Sequence, residues 1–217
     1  MYLLDSDAAR YLCQYALLHE LADALGCSLL DFAVLPQLRF QLRLGKPNAM
    51  DKLGSAEAIE LAELLVAQAS EVTVSANSAN ALLLSNRPDI DAGELILFAA
   101  LCDDAASTLV TGDKRALVAL SAVADPALET LWARLICLEE AIALIIKHVG
   151  FEAVSQKIRA RPDVNVALSI AFGRSTAAPS PSVLEGLASY VSDVMQSTQG
   201  KYHLKQFAVH GACLSCP

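Results

Sequence analysis

The chain has 217 residues, a formal net charge of -8, 54% hydrophobic residues and only 6% aromatic residues. Its length fits one α/β domain with an appendage, or one large α/β domain. The acidic charge argues against nucleic-acid binding through an extended basic surface, although a carboxylate site that holds a cation can still attract a phosphate. No stretch reaches the roughly 18 uninterrupted apolar residues of a membrane span, and no basic segment precedes an apolar run as in a signal peptide. We therefore expect a cytoplasmic protein.

Strand and helix patterns alternate through the first half of the chain. Residues 1–4 are apolar and predict a strand, which Asp5-Ser6-Asp7 separates from a helix that ends near residue 25. Later apolar runs predict further strands, at 29–35, 71–75 and 107–111, and the periodicities between them predict helices, at 38–44, 55–69, 76–84, 92–102 and 114–123. This alternation predicts an α/β fold of three layers, with a central parallel sheet and helices on both of its faces.

The pattern becomes helical after Asp125-Pro126, which is the best candidate for a domain boundary. Beyond it the sequence predicts helices at 127–149, 151–159 and 163–172, a linker at 175–182 and a last helix at 183–195. We therefore expect an α/β domain at 1–124, a helical extension at 125–175, and a linker, helix and flexible tail at 176–217.

Carboxylates follow two predicted strands and open one predicted helix. Asp5 follows the first strand, Asp113 follows the strand at 107–111, and Asp91 and Glu94 stand at the start of a helix. The carboxyl ends of parallel strands meet at one edge of a sheet, and acidic side chains are almost never fully buried unless they are paired or bind a metal. These four acids therefore predict a cation site at that edge.

Three segments resemble the PIN-domain nucleases in local sequence, order and spacing. They are Met1-Tyr2-Leu3-Leu4-Asp5-Ser6-Asp7, Asp91-Ala92-Gly93-Glu94 and Thr111-Gly112-Asp113-Lys114-Arg115. The resemblance covers roughly residues 1–124 and implies a small α/β domain that hydrolyses RNA with Mg²⁺ or Mn²⁺.

Carried over by position, the resemblance assigns catalysis to Asp5, Glu94 and Asp113, and metal binding to these three and to Asp91. One departure from the family concerns the helix after the second strand, which usually supplies a glutamate. In this chain the same region offers Gln37 and Gln41.

Basic residues near the predicted site are candidates for contacts with RNA phosphates: Arg39, Arg43, Lys114 and Arg115. Each candidate also has an ordinary structural interpretation. Asp5 or Asp91 would cap a helix, Glu94 would interact favourably with a helix dipole, and the basic side chains would solvate helix surfaces.

The sequence favours a metal-dependent endoribonuclease whose C-terminal helices bind a second copy or a protein partner, and it leaves two alternatives. One is a phosphatase that resembles the haloacid dehalogenases, with Asp5 as nucleophile and Asp7 as general acid. The other is a catalytically silent PIN-like scaffold, which Gln37 and Gln41 favour.

Cysteines and histidines give weaker signals. Cys13, Cys27, Cys102 and Cys137 lie in apolar surroundings, which favours core positions in a reducing compartment. The tail carries one Cys-x-x-Cys pair, Cys213 and Cys216, which fits either a zinc site or an unstructured end. The four histidines share no ligand-like spacing, and we expect them on the surface.

Overall fold

The computed structural model describes residues 1–75, 78–84, 87 and 89–204. Its centre is one sheet of five parallel strands in the order β3-β2-β1-β4-β5. The strands are β1 (Tyr2–Leu4), β2 (Phe32–Val34), β3 (Ser70–Glu71), β4 (Thr108–Thr111) and β5 (Leu135–Cys137). The predicted α/β class with a central parallel sheet is confirmed.

Thirteen α-helices lie within the described residues. They are α1 (Ser6–Gln14), α2 (Leu18–Ala24), α3 (Leu38–Gln41), α4 (Ala49–Leu53), α5 (Ala56–Gln68), α6 (Ala79–Leu84), α7 (Ala92–Asp103), α8 (Lys114–Ser121), α9 (Pro126–Glu129), α10 (Leu138–Val149), α11 (Phe151–Ala160), α12 (Val166–Phe172) and α13 (Ser180–Ser197). Two short 3₁₀ turns, Leu29–Asp31 and Trp132–Arg134, lead directly into β2 and β5.

Helices cover both faces of the sheet because side chains alternate along each strand. Leu4 and Val110 enter a core cluster with α1, α2, α5 and α10, whereas Leu3 and Leu109 enter a second cluster with α7 and α8. Helix α13 contributes to both, since Val183 and Leu187 lie in the first cluster while Val191 and Val194 lie in the second.

The expectation of one helix over 127–149 is wrong, because this segment contains α9, a 3₁₀ turn, β5 and α10. The periodicity of a three-residue apolar run does not distinguish a strand from part of a helix. Hydrogen bonding to β4 makes this run a strand. Arg134 fixes the approach to β5, since its guanidinium Nη1 donates to the carbonyl oxygens of Leu101, Asp104 and Ser107 at 2.7, 2.8 and 3.1 Å. The sheet therefore continues past the predicted boundary at Asp125-Pro126.

Several element bounds also differ from the sequence prediction. The strand expected at 71–75 has only two residues, and that expected at 29–35 begins as a 3₁₀ turn. The first predicted helix is broken into α1 and α2 at Ala16, whose φ is 52°. Part of the helix expected at 76–84 lies outside the described residues. Asp125 caps α9 by accepting a hydrogen bond from the backbone N–H of Ala127 at 2.9 Å.

No helix among the described residues is long and apolar enough to cross a membrane. The four cysteines expected in the core are free thiols; Cys13 and Cys137 are buried and Cys27 and Cys102 half-buried. Burial raises the pKa of the Cys13 thiol to about 12, so this group has the character of a core residue.

Candidate carboxylate site

The site lies at the carboxyl ends of β1, β2 and β4, and the strand order reverses between β1 and β4. Open parallel sheets bind ligands at such a position, outside the carboxyl ends of the strands. Here it forms a cleft of about 550 Å³. Fourteen residues line it: Asp5, Ser6, Asp7, Arg10, Leu35, Gln37, Gln41, Leu42, Lys52, Asp91, Ala92, Gly93, Glu94 and Asp113.

Asp5 stands at the end of β1, and its backbone N–H extends the strand pairing by donating to the Val110 carbonyl oxygen at 3.0 Å. Asp5 is the N-cap residue of α1 by position, but its side chain makes no capping hydrogen bond to this helix. Instead Oδ2 accepts from the Thr111 hydroxyl and from the Gly112 backbone N–H, each at 3.4 Å. The pKa of Asp5 is raised to about 6. Burial is the main cause and the charges of Asp7 and Asp113 add to it, whereas the hydrogen bond from the Gly112 N–H lowers the pKa.

Asp113 lies at the end of β4 and also caps α8. Its Oδ1 accepts from the backbone N–H groups of Arg115 and Ala116 at 2.7 and 3.1 Å. Its own backbone N–H donates to the Thr111 hydroxyl at 3.1 Å. One carboxylate oxygen is thus committed to the helix, while Oδ2 lies 3.4 Å from the exposed Arg115 guanidinium.

Asp91 and Glu94 form a reciprocal capping box at the start of α7. The Glu94 backbone N–H donates to Asp91 Oδ1 at 2.8 Å, and the Asp91 N–H donates to Glu94 Oε2 at 2.7 Å. The capping interpretation is therefore confirmed for Asp91, and Glu94 completes the same box. Asp89, the other acid of this turn, does not line the cleft.

Glu94 also interacts with Asp113 across the cleft. The pKa of Glu94 is raised to about 7, mainly by burial and also by Asp91 and Asp113, while the hydrogen bond from the Asp91 N–H lowers it. The Asp113 carboxylate thus lies close enough to Glu94 to disfavour its ionised form. Glu94 is half-buried, whereas Asp91 is exposed.

Gln37 and Gln41 both line the cleft. Gln37 reaches the start of α7, since a Cβ built on Gly93 would lie 3.5 Å from its Nε2. The segment after β2 thus presents neutral amides to the acids.

Two basic residues in the cleft escape the sequence analysis, namely Arg10 on α1 and Lys52 on α4. Arg10 lies one helical turn after Asp7, a spacing that could have suggested a shared helix face. No sequence pattern points to Lys52, because this residue reaches the cleft only through the packing of α4 on α1.

The four basic residues predicted to contact RNA do not line the cleft. Arg39 and Arg43 are exposed. Lys114 pairs with Asp193 of α13, and Arg115 extends into solvent with 92% of its side chain exposed.

As the side chains stand, no three His, Cys, Asp or Glu residues of the described chain are grouped so that they could hold a metal ion. The donor set nevertheless consists of carboxylate oxygens, the ligands that Mg²⁺ and Mn²⁺ prefer. The raised pKa values of Asp5 and Glu94 reflect burial and negative charge that a cation would offset. The chemistry of the donor set therefore fits a hard divalent cation.

The described histidines His19, His148 and His203 are exposed and do not line the cleft. His210, Cys213 and Cys216 lie outside the described residues.

No protein-family model, curated protein or solved structure matches this chain.

Proposed function

We propose that the protein is a metal-dependent endoribonuclease of PIN type, with Asp5, Glu94 and Asp113 as its catalytic acids and with Asp91 as a further candidate ligand. The supporting observation is that acids from the ends of β1 and β4 and from the start of α7 line one cleft. Two of these acids have raised pKa values, at about 6 and about 7. Perturbed carboxyl groups in a cleft are typical of functional sites.

A bound Mg²⁺ or Mn²⁺ would supply an activated water and would neutralise charge on a phosphate. The chain's own residues have distinct parts in this proposal. Asp5 and Asp113 are oriented through Thr111, so their free oxygens are held at one end of the sheet. Glu94, with a pKa of about 7, is partly protonated near neutral pH, and a cation held beside it would favour its ionised form.

The test is cleavage of structured and single-stranded RNAs in Mn²⁺ and in Mg²⁺ by the wild type, Asp5→Asn and Asp113→Asn. Asparagine caps a helix as well as aspartate does, so Asp113→Asn leaves α8 intact. Asp23→Asn, an exposed acid of α2 outside the cleft, is the matched control. We expect metal-dependent cutting that both site variants abolish and the control retains; cutting that survives both would contradict the proposal.

A phosphatase is the second candidate, because Asp7 lines the same cleft and its charge raises the pKa of Asp5. Asp7 Oδ1 lies 2.9 Å from the Arg10 guanidinium, so this carboxylate is already paired with a cation of its own helix. Asp7→Asn should destroy a phosphatase that acts on p-nitrophenyl phosphate, and should leave most of a nuclease activity.

A silent scaffold is the third candidate, and the two glutamines in the cleft favour it. Val166 and Ile170, one turn apart on α12, are 60% and 61% exposed, which fits the proposed contact of the C-terminal helices with a second copy or a protein partner. Calorimetry that detects no Mn²⁺ binding would favour this candidate over both enzymes.

A further inference from the structure

The two basic residues of the cleft come from two helices that pack on each other. Arg10 belongs to α1 and Lys52 to α4, whereas Glu94 and Asp113 come from α7 and the end of β4. Helix α4 is held against its neighbours by hydrogen bonds to its last carbonyls. Gln14 Nε2 donates to the Lys52 carbonyl oxygen at 3.0 Å, and Arg161 Nη1 donates to that of Leu53 at 3.2 Å. The Lys52 backbone therefore has a fixed position beside α1.

The positive charges are only partly balanced by the protein. Arg10 pairs with Asp7 through one nitrogen, while its Nε is buried without a hydrogen-bond partner among the described residues. The Lys52 ammonium forms no ion pair within the described part of the chain. Burial lowers the pKa of Lys52, and the charges of Arg10 and Arg43 lower it further despite Asp7. Cations that repel one another in a half-buried wall are stabilised by an anion.

A phosphate group satisfies both side chains. A guanidinium presents donors in a planar fork that matches two phosphate oxygens, and an ammonium adds a compact positive charge. The carboxylates on the other side would repel the same anion until a cation neutralises them. A phosphate between the two sides would thus meet the bound cation on one face and the basic wall on the other.

We propose that Arg10 and Lys52 form the phosphate-binding wall of the cleft and hold a backbone phosphate of single-stranded RNA against the catalytic acids. The choice of RNA rests on the proposed function, whereas the phosphate contact rests on the two side chains and the cleft they line. Arg10 and Lys52 are positioning residues for the substrate. They take the role that the sequence had suggested for Arg39, Arg43, Lys114 and Arg115.

The experiment measures binding without catalysis. A short fluorescein-labelled oligouridylate is titrated by fluorescence anisotropy in EDTA over a series of salt concentrations. The protein background is Asp5→Asn/Asp113→Asn, which lowers the repulsion from the acids. Arg10→Gln and Lys52→Gln are compared with Arg174→Gln and Lys147→Gln, exposed cations on other helices and loops that do not line the cleft. Arg10→Lys keeps the charge, and melting temperatures verify folding.

We expect each cleft variant to weaken binding about tenfold, the size expected for a lost bond to a charged group. Each variant should also reduce the slope of log Kd against log salt concentration by about 0.7, which is the value expected for one lost phosphate contact on a single strand. The controls should change neither quantity, and Arg10→Lys should recover part of the affinity.

Equal affinity in the cleft and control variants, or no binding in the background itself, would overturn this proposal. Neither result would bear on metal-dependent cleavage by the wild type, which tests the proposed function separately. A phosphate contact without cleavage would uphold the basic wall and refute the nuclease.

Discussion

The hydroxyl of Thr111 lies 3.4 Å from Oδ2 of Asp5, a residue 106 positions earlier in the chain. The same hydroxyl accepts the backbone N–H of Asp113 at 3.1 Å, so one buried side chain connects two of the candidate catalytic acids. Register places it there, because Leu4 pairs with Val110 and the next residues of both strands are Asp5 and Thr111.

Thr111→Val should loosen the arrangement of the acids, since valine has nearly the same shape but no hydroxyl. Asp5 would lose a bond that favours its ionised form, so its pKa should rise and its Mn²⁺ affinity should fall by about tenfold, which corresponds to one hydrogen bond to a charged group. Calorimetric titration with Mn²⁺ measures the effect, and Thr111→Ser should retain wild-type binding. A Val variant that binds Mn²⁺ as the wild type does would refute this role.

Asp5→Asn should stabilise the metal-free protein at alkaline pH. The folded-state pKa of Asp5 is about 6 against an ordinary value of 3.8, so the folded chain binds more protons than the unfolded chain between these values. Its contribution to stability therefore falls as pH rises from about 4 to about 6 and remains unfavourable above. At pH 8 the substitution should raise the free energy of unfolding on the order of 2 kcal/mol, seen as a higher melting temperature, with a much smaller gain at pH 4. Equal effects at both pH values would contradict the linkage.

Binding of Mn²⁺ should weaken as pH falls from 8 to 5.5, because protons compete with the cation for Asp5 and Glu94. We expect a loss of at least about tenfold, the effect of one proton that must leave a group with a pKa near 7. Titration of Glu94→Gln supplies the comparison, since its pH dependence should be shallower than that of the wild type. An affinity that is constant over this range would exclude these carboxylates as ligands.

Gln37→Glu should strengthen Mn²⁺ binding by about tenfold, since it adds a charged oxygen ligand to the cleft. The start of α7 beside it favours a negative charge. Without metal at pH 8 the same change should lower the melting temperature, because it places another acid near Glu94. Gln68→Glu, at the exposed end of α5, is the control and should alter neither measurement. No gain in affinity would show that this side chain does not reach the cation.

Tyr202→Phe should destabilise the fold by about 1–3 kcal/mol, the cost of leaving buried polar groups without a partner. The Tyr202 hydroxyl donates to the buried Glu140 carboxylate and accepts the backbone N–H of Cys137 at 2.8 Å. These bonds hold the segment after α13 against β5 and α10. Urea unfolding measures the loss, with Tyr190→Phe, on a half-buried part of α13, as the control. A midpoint shift no larger than that of the control would refute this role.

The sequence identified Asp5 and Asp113 as acids at the ends of strands, and the structure brings both to the point where the strand order reverses. Such a prediction succeeds because a buried strand followed by an acidic turn is a local pattern. The parallel arrangement then follows from helices between the strands, since a parallel pair needs a crossover connection.

The helix start at Asp91 could also be predicted from the sequence, because a capping box consists of two residues three positions apart. Which of its acids faces Asp113 was left open by the sequence. Both belong to one helical turn, and only the position of α7 beside the end of β4 brings Glu94 near enough to Asp113 for Asp113 to raise the Glu94 pKa.

By itself the sequence determined the α/β alternation, the strand-end acids and the capping of α7, because each is encoded within a few neighbouring residues. The tertiary structure alone decided that Leu135–Cys137 is a strand, that Glu94 is coupled to Asp113, and that Arg10 and Lys52 share the cleft. These features depend on contacts between residues far apart in the chain. Strand pairing and helix packing stabilise them, and a local sequence pattern contains no information on either.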